Sequence, residues 1–298
     1  MKDETLRACI SCRTRLAPIA KRLELSDFER ALIEYPQRVI SVALPVVMDD
    51  GSTRVFRGYR VQYNNALGPY KGGIRYHLAV DEEDITELAF LMMIKNALMN
   101  LPYGGAKGGI VVDPRALTKS ERERLTRTFV RALGKTVGPY TDVPAPDVNT
   151  SAETMDWFAD EYGKMEGMYM PAVVTGKSIP KGGSRGRDSA TGLGGVYVLE
   201  QFAKKMKWKP AESTIAIQGF GNVGGHIAHL LAARGYRVVA VSNSRGGVFR
   251  ESGFSAEELA RAQKEKTLPD GKGITNESIL TLPITALVPA ALSDQINV

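Results

Sequence analysis

The chain has 298 residues, 43% hydrophobic and 24% charged, enough for two domains with cores of their own. Its net charge of +6 admits acidic small molecules or nucleic acid, but the basic residues are interleaved with acids, as in Glu121-Arg122-Glu123-Arg124, and no nucleic-acid partner is expected. No apolar run approaches the ~20 residues of a membrane span, and no signal-peptide apolar region opens the chain, so a cytoplasmic location without membrane contact is expected.

Residues 6–34 are charged and amphipathic, with Leu16, Ile19, Leu23, Phe28 and Leu32 at helical spacing. Cys9 and Cys12 lie at the start of this stretch. A lone CxxC is weak evidence for zinc, so two reduced thiols and no metal are expected. After a break at Tyr35-Pro36, the β-branched and aromatic runs 38–47 and 53–63 flank Met48-Asp49-Asp50-Gly51, a hairpin signal.

Two stretches then place a lysine beside glycines. In GPYKGGIRYH (68–77) Lys71 precedes Gly72-Gly73, with Arg75 following. In LPYGGAKGGIVVD (101–113) Lys107 stands between Gly104-Gly105 and Gly108-Gly109, and the apolar run from Ile110 reads as a strand start. Glycine lets ligand or backbone approach the ammonium, and a lysine removed from water is tuned towards neutral pH; a solvated lysine in a flexible turn is the competing reading. Between them, Asp81 to Asp84 load the first turn of a helix with acid. Along it Leu88, Leu91, Met92 and Lys95 form a stripe, which makes Lys95 either a pocket cation or a snorkelling surface residue.

Thr118 and Glu121 form a capping box opening a helix through Leu125, Phe129, Leu133 and Val137. The run 143–149 reads as a proline-rich loop that stiffens the backbone at Asp147, an aimed carboxylate or a simple turn acid. Thr150 to Glu153 reads as a second capping box, ahead of Met155, Phe158 and Tyr162. Residues 175–188, dense in Gly, Ser and basic residues, read as a domain junction.

Beyond it, the short strand 213–218 runs into Gly219-Phe220-Gly221-Asn222-Val223-Gly224, then a helix, then the strand 236–242. A GxGxxG between a strand and a helix at βαβ distance is a strong dinucleotide signal, because glycines admit a pyrophosphate to the helix N-terminus. Where a ribose-binding acid is expected, the sequence reads Ser242-Asn243-Ser244-Arg245. Asn243 can still hydrogen-bond a ribose hydroxyl and Arg245 can meet a 2′-phosphate, a lean towards NADP or dual NAD/NADP use. His226 and His229 lack a third ligand and read as surface or packing residues. Residues 285–288 look like a third strand. About half of a doubly wound domain is therefore expected.

Taken together, Lys71 in GPYKGGIR, Lys95 in MMIKNA, Lys107 in PYGGAKGGI and Asp147 in VPAPDVNT resemble the glutamate, leucine, phenylalanine and valine dehydrogenase family. TGKSIPKGGSRGRDSATGLGG and GFGNVG extend the resemblance to nearly the whole chain from Pro36. It implies an α/β protein: a substrate-binding and oligomerisation domain over 1–188, then an incomplete Rossmann-type NAD(P)-binding domain over 189–298, with hexameric assembly. It implies oxidative deamination of glutamate to 2-oxoglutarate and ammonia, with NAD or NADP as cofactor. Lys71 is implied to meet the substrate's side-chain carboxylate and Lys95 its α-carboxylate. Lys107 is implied to be the low-pKa catalytic lysine and Asp147 the proton shuttle. Thr191 and Asn222 are implied to contact the nicotinamide, alongside Gly219, Gly221, Val223, Gly224 and Asn243 in the cofactor site. The family continues past the Pro289-Ala290-Ala291 motif, so a fragment of a longer product or a natural truncation is expected. A silent paralogue assembling with full-length subunits, or a dehydrogenase for another amino acid, is the alternative.

Overall fold

A computed structural model of the chain describes residues 9–291 and 295–296. It contains two compact units, Met1–Ser184 and Arg185–Val298.

The first unit opens with helices α1 (Ile10–Arg22) and α2 (Asp27–Glu34). Residues 6–8 of the expected amphipathic stretch lie outside the described residues. The buried face of α1 is Cys12, Leu16 and Ala20, whereas Ile19, Leu23, Phe28 and Leu32 are exposed. The expected stripe therefore fails beyond Leu16, because a cysteine and an alanine supply the packing at i, i+4. The reduced-thiol expectation is also overturned: Cys9 and Cys12 are joined in a disulfide. Cys9 is the N-cap of α1, and the first turn brings its Cα within 5.2 Å of that of Cys12, among the buried side chains of Tyr59, Val61 and Tyr63.

Strands β1 (Arg38–Val47) and β2 (Thr53–Asn64) form the expected antiparallel hairpin, with Gly51 at φ +82° in the turn. Then follow β3 (Tyr70–Tyr76), α3 (Glu82–Leu98), β4 (Gly105–Ile110), α4 (Lys119–Leu133), β5 (Asp142–Pro146) and α5 (Ala152–Glu166). The sheet order is β1-β2-β4-β3-β5, with β4 antiparallel to β2 and β3 parallel to both β4 and β5. Lys107 thus lies inside a strand that ends at Ile110, not in a turn before one. The glycines around it serve close packing. A Cβ on Gly72 would stand 1.5 Å from the Ala106 carbonyl oxygen, and one on Gly105 would stand 2.4 Å from the backbone nitrogen of Met93 in α3. The 143–149 stretch is likewise a strand through Pro146 rather than a loop. Its prolines are tolerated because β5 is an edge, with no partner required on its outer side.

Side chains alternate across this sheet. One face packs Leu44, Ile74, Tyr76 and Ile110 with Phe129 of α4 and Phe158 of α5. The other packs Tyr59, Val61 and Tyr63 with Ile85, Ala89 and Phe90 of α3. Helix α3 therefore buries the Ile85-Ala89-Phe90 side, leaving Leu88 and Met92 half-buried and Leu91 and Lys95 exposed. The stripe through Lys95 is thus a partly exposed flank of the helix and not its packed face. The Thr118/Glu121 capping box forms as expected. The second box is Ser151/Thr154, one residue later than expected, because the Thr150 hydroxyl accepts from the Asp147 amide (2.7 Å) and donates to the Ile74 carbonyl (2.9 Å).

The second unit runs α6 (Arg187–Lys205), β6 (Thr214–Gln218), α7 (Asn222–Ala233), β7 (Arg237–Asn243), β8 (Gly246–Phe249), α8 (Ala256–Glu265), β9 (Lys272–Ile274), α9 (Asn276–Leu280) and β10 (Ala286–Pro289). Its sheet order is β10-β6-β7-β8-β9, parallel through β10, β6 and β7 and antiparallel in β8 and β9. The third strand expected near 285–288 is β10, paired with β6 on the side away from β7. Strand order therefore reverses at β6, which is where open α/β sheets bind ligands at their C-terminal ends. Ile215, Ile217, Ala228, Leu231, Val238 and Leu259 fill the core beneath. No helix among the described residues is long and apolar enough to cross a membrane.

Candidate active site

The first unit gathers charge on the α3 face of its sheet. Parallel register sets Ile74 beside Gly108, so Gly73 is level with Lys107, and alternation puts Lys71, Gly73, Arg75 and Lys107 on one face. Gly73 leaves a gap there that Asp147 occupies: a Cβ on Gly73 would stand 2.7 Å from the Asp147 Cβ. The Asp147 carboxylate sits between two cations, with Lys107 Nζ 3.0 Å and Arg75 Nε 3.0 Å from the same Oδ2. Arg75 Nη1 also reaches Asp84 Oδ2, in the first turn of α3, at 3.4 Å. Thr150 holds the Asp147 backbone from behind.

Lys107 is only 6% exposed. Burial pushes its ammonium below the usual lysine range, and the charge and hydrogen bond of Asp147 offset only part of this. For Asp147, burial acts upward, but the charge and hydrogen bond of Lys107 and then those of Arg75 outweigh it and hold the carboxyl below its ordinary value. Burial pushes the Asp84 carboxyl up against the pull of Arg75. The result is an ionised carboxylate beside a lysine that gives up its proton more readily than a lysine in water, the pairing that general acid–base chemistry needs.

Below the sheet, on its other face, Arg60 of β2 is fully buried. It passes over Gly108, donates to the Gly72 carbonyl (3.2 Å), and forms a bidentate pair with the equally buried Asp142 of β5, with Nε–Oδ2 at 2.8 Å. One guanidinium thereby ties β2, β3 and β5 together across β4.

Of the four residues singled out in this unit, Lys107 and Asp147 are in contact, and Lys71 is half-buried on the same strand face, four residues before Arg75. Lys95 is exposed on α3 and makes no ion pair among the described residues. Its neighbour Asn96 is the anchored one, donating to the Gly104 carbonyl at 2.6 Å. Arg75 and the Arg60–Asp142 pair had no role assigned from sequence, and Asp84 and Thr150 were read only as a first-turn helix acid and a cap. The missing signal was strand alternation: once 70–76 is read as β3, Arg75 falls on the face of Lys71.

In the second unit the glycine loop passes a fit test for a dinucleotide. Gly219 turns at φ +93°, where a Cβ would stand 2.7 Å from the Ala290 carbonyl. A Cβ on Gly224 would stand 2.0 Å from the Gly219 carbonyl oxygen, so this glycine lets α7 press on the loop. Gly221, at the N-cap of α7, faces open space. The three glycines thus meet the needs of a tight turn, an approach for pyrophosphate, and close helix–strand packing. The buried Gln218 Oε1 and Ser242 Oγ, at paired positions of β6 and β7, have no hydrogen-bond partner among the described residues.

Asn222 and Val223 open α7, and Asn222 Nδ2 donates to the Asp188 carbonyl at 2.9 Å. Thr191 is exposed on α6, next to Gly192, whose missing Cβ lets the first turn of α7 approach. Asn243 lies at the end of β7, where its Oδ1 accepts from the Arg245 amide at 2.9 Å. Asn243, Arg245, Gly247 and Thr275 line an open depression of about 530 Å³ in which no acidic side chain takes part. His226 pairs with Gln263 at 2.7 Å, and no three-residue metal cluster occurs among the described residues.

Residues 36–164 match the family described as Glu/Leu/Phe/Val dehydrogenase, dimerisation domain, and residues 182–298 match Glutamate/Leucine/Phenylalanine/Valine dehydrogenase. A glutamate dehydrogenase of Thermotoga maritima is 48% identical over 92% of this chain and 68% of its own length. An NADP-specific glutamate dehydrogenase of Synechocystis is 41% identical over 95% and 69%, and a catabolic NAD-specific one of Bacillus subtilis is 40% identical over 99% and 70%. Among solved structures, a hetero-hexameric glutamate dehydrogenase of Thermus thermophilus in its Leu-bound form superposes with a TM-score of 0.86 at 38% identity. That match covers 93% of this chain and 68% of the other.

Proposed function

The chain belongs to the Glu/Leu/Phe/Val dehydrogenase family, and from that premise we propose that it catalyses the reversible oxidative deamination of glutamate to 2-oxoglutarate and ammonia with NAD⁺ or NADP⁺. The observation that carries the reading is the Lys107–Asp147 contact, on the sheet face that also bears Lys71. Lys71 binds the side-chain carboxylate of glutamate and Lys95 its α-carboxylate, so that two ammonium groups meet a dicarboxylate. Residues 1–188 form the substrate-binding and oligomerisation domain and 189–298 the dinucleotide domain.

Gly219, Gly221, Asn222, Val223 and Gly224 with Thr191 and Asn243 would hold the dinucleotide, which would supply the acceptor for the hydride that leaves the glutamate Cα. Neutral Lys107 takes a proton from the water that attacks the resulting substrate iminium. Asp147 takes a proton from the α-ammonium before the hydride leaves and returns one to the departing amino group, so that ammonia leaves and the ketone forms. Oxygen from water replaces nitrogen at Cα, and two electrons leave with the hydride. We place the protein in the cytoplasm as a homo-hexamer.

The test is glutamate-dependent reduction of NAD⁺ and of NADP⁺ by the purified chain, with 2-oxoglutarate identified as product. Turnover of leucine, valine or phenylalanine in preference to glutamate would remove the role given to Lys71.

A further inference from the structure

We propose that Arg75, anchored by Asp84, is a positioning residue that shares Oδ2 of Asp147 with Lys107 and keeps that carboxylate paired while Lys107 changes charge. The inference rests on the proposed function and adds a residue to it. Arg75 Nε and Lys107 Nζ each stand 3.0 Å from the one oxygen. Two cations held so close repel each other, and Lys107 alone of the two can relieve this by losing its proton, since a guanidinium stays charged throughout the working pH range. Without Arg75, each deprotonation of Lys107 would leave Asp147, a mostly buried carboxylate, without its counter-charge and free to swing or take up a proton. With Arg75 present the pairing persists in both protonation states.

Asp84 completes the device. It holds Arg75 Nη1 at 3.4 Å, so the guanidinium is fixed from α3 as well as from its own strand. Arg75, Lys107, Asp84 and Asp147 sum to no net charge. Among the described residues, Lys71 on β3 shares the sheet face of this cluster and Asp81 acts on Asp84 from the N-cap of α3; β2 contributes the uncharged Val61 level with Lys107. Arg75 acts to lower the Lys107 ammonium and Asp84 acts to raise it. Removing either side of the pair must therefore move Lys107 in opposite directions.

The experiment compares Arg75→Gln, Arg75→Lys and Asp84→Asn with the wild type in kcat, KM for glutamate, and the pH dependence of kcat. Arg75→Gln is expected to lower kcat ~10- to 100-fold with KM for glutamate within about threefold, since the loss is felt in proton transfer. Arg75→Lys, which restores a cation, is expected to recover most of that loss. The limb that reports Lys107 deprotonation should move to higher pH in Arg75→Gln and to lower pH in Asp84→Asn, by roughly half a unit to one unit.

The same opposite displacements should appear in the pH dependence of Lys107 acylation by acetic anhydride, followed by peptide mass mapping, which needs no turnover. Limbs that move together or not at all would overturn the proposal, as would a raised KM at unchanged kcat, the mark of a substrate-binding arginine. Wild-type protein that fails to reduce either cofactor with glutamate defeats the proposed function, and the acylation profiles then still decide the role of Arg75.

Discussion

Glycine builds both candidate sites, and it does different work in each. In the first unit Gly72, Gly73 and Gly105 sit inside packed strands, where an added Cβ would strike the Ala106 carbonyl, the Asp147 side chain or the α3 backbone. The chemistry is carried by charged side chains that those absences admit. In the second unit Gly219 and Gly224 are tight, but Gly221 faces nothing. There the backbone itself is left open to a ligand, and side-chain charge is absent from residues 219–224. A glycine-rich motif is thus interpreted by what a methyl group would meet. Packed glycines report a crowded core serving side chains, and open ones report a surface offered to something else.

Six substitutions test that contrast. The largest effect is expected from Lys107→Ala, which removes the proposed acid–base lysine and lowers kcat ~10²- to 10⁴-fold while circular dichroism stays that of the folded chain. Retained turnover would mean that the charged face is not the reacting one. Next, Asp142→Ala strands the buried Arg60 guanidinium and should destabilise the first unit by about 3–5 kcal/mol, read as a lower urea midpoint.

Smaller and divergent outcomes are expected in the glycine loop. Gly219→Ala, at φ +93° and against the Ala290 carbonyl, should destabilise the second unit by ~1–2 kcal/mol or more. Gly221→Ala should change stability by no more than about 1 kcal/mol, an N-cap effect, while cofactor affinity falls roughly tenfold in a titration of nicotinamide dinucleotide fluorescence. If both alanines act alike, the distinction between packed and open glycine fails. The smallest effects belong to caps common to both units. Ser255→Ala, which loses a 3.1 Å bond to the Glu258 amide, should destabilise by about 1 kcal/mol, and Ser151→Ala, with a 3.4 Å bond, by less.

What was legible in the sequence was what local chemistry encodes. The Asp-Gly hairpin, the Thr118/Glu121 box and the strand–glycine–helix unit around Gly219 each depend on residues a few positions apart. The chemistry-bearing strands were not legible, because β3 and β4 are rich in glycine and β5 in proline, residues that argue locally against a strand. Only the neighbours explain them: Ala106 against Gly72, Met93 against Gly105, and an outer edge that leaves the β5 prolines unopposed. Lys107 and Asp147 were singled out before their contact was visible. Arg75 and Asp84 were not assigned to the site, since their link joins a strand to a helix that the sequence stretch alone does not bring together. The misplaced stripe on α3 has the same origin. Alanine at 89 and threonine at 86 turn inward because Gly105 and Gly109 of β4 have no Cβ to keep the helix away.

The level register of Gly73 and Lys107 also bears on how the chain finds its structure. Sliding β3 by a single residue would turn Lys71 and Arg75 through the sheet, into the layer occupied by Phe129 and Phe158, where taking two more cations out of water would be costly. Few errors in strand alignment could be punished more heavily. Groups that carry the charge of the candidate site in the finished molecule therefore act beforehand as proofreaders of its assembly, and replacing them with alanine would relax the fidelity of folding as well as alter that site.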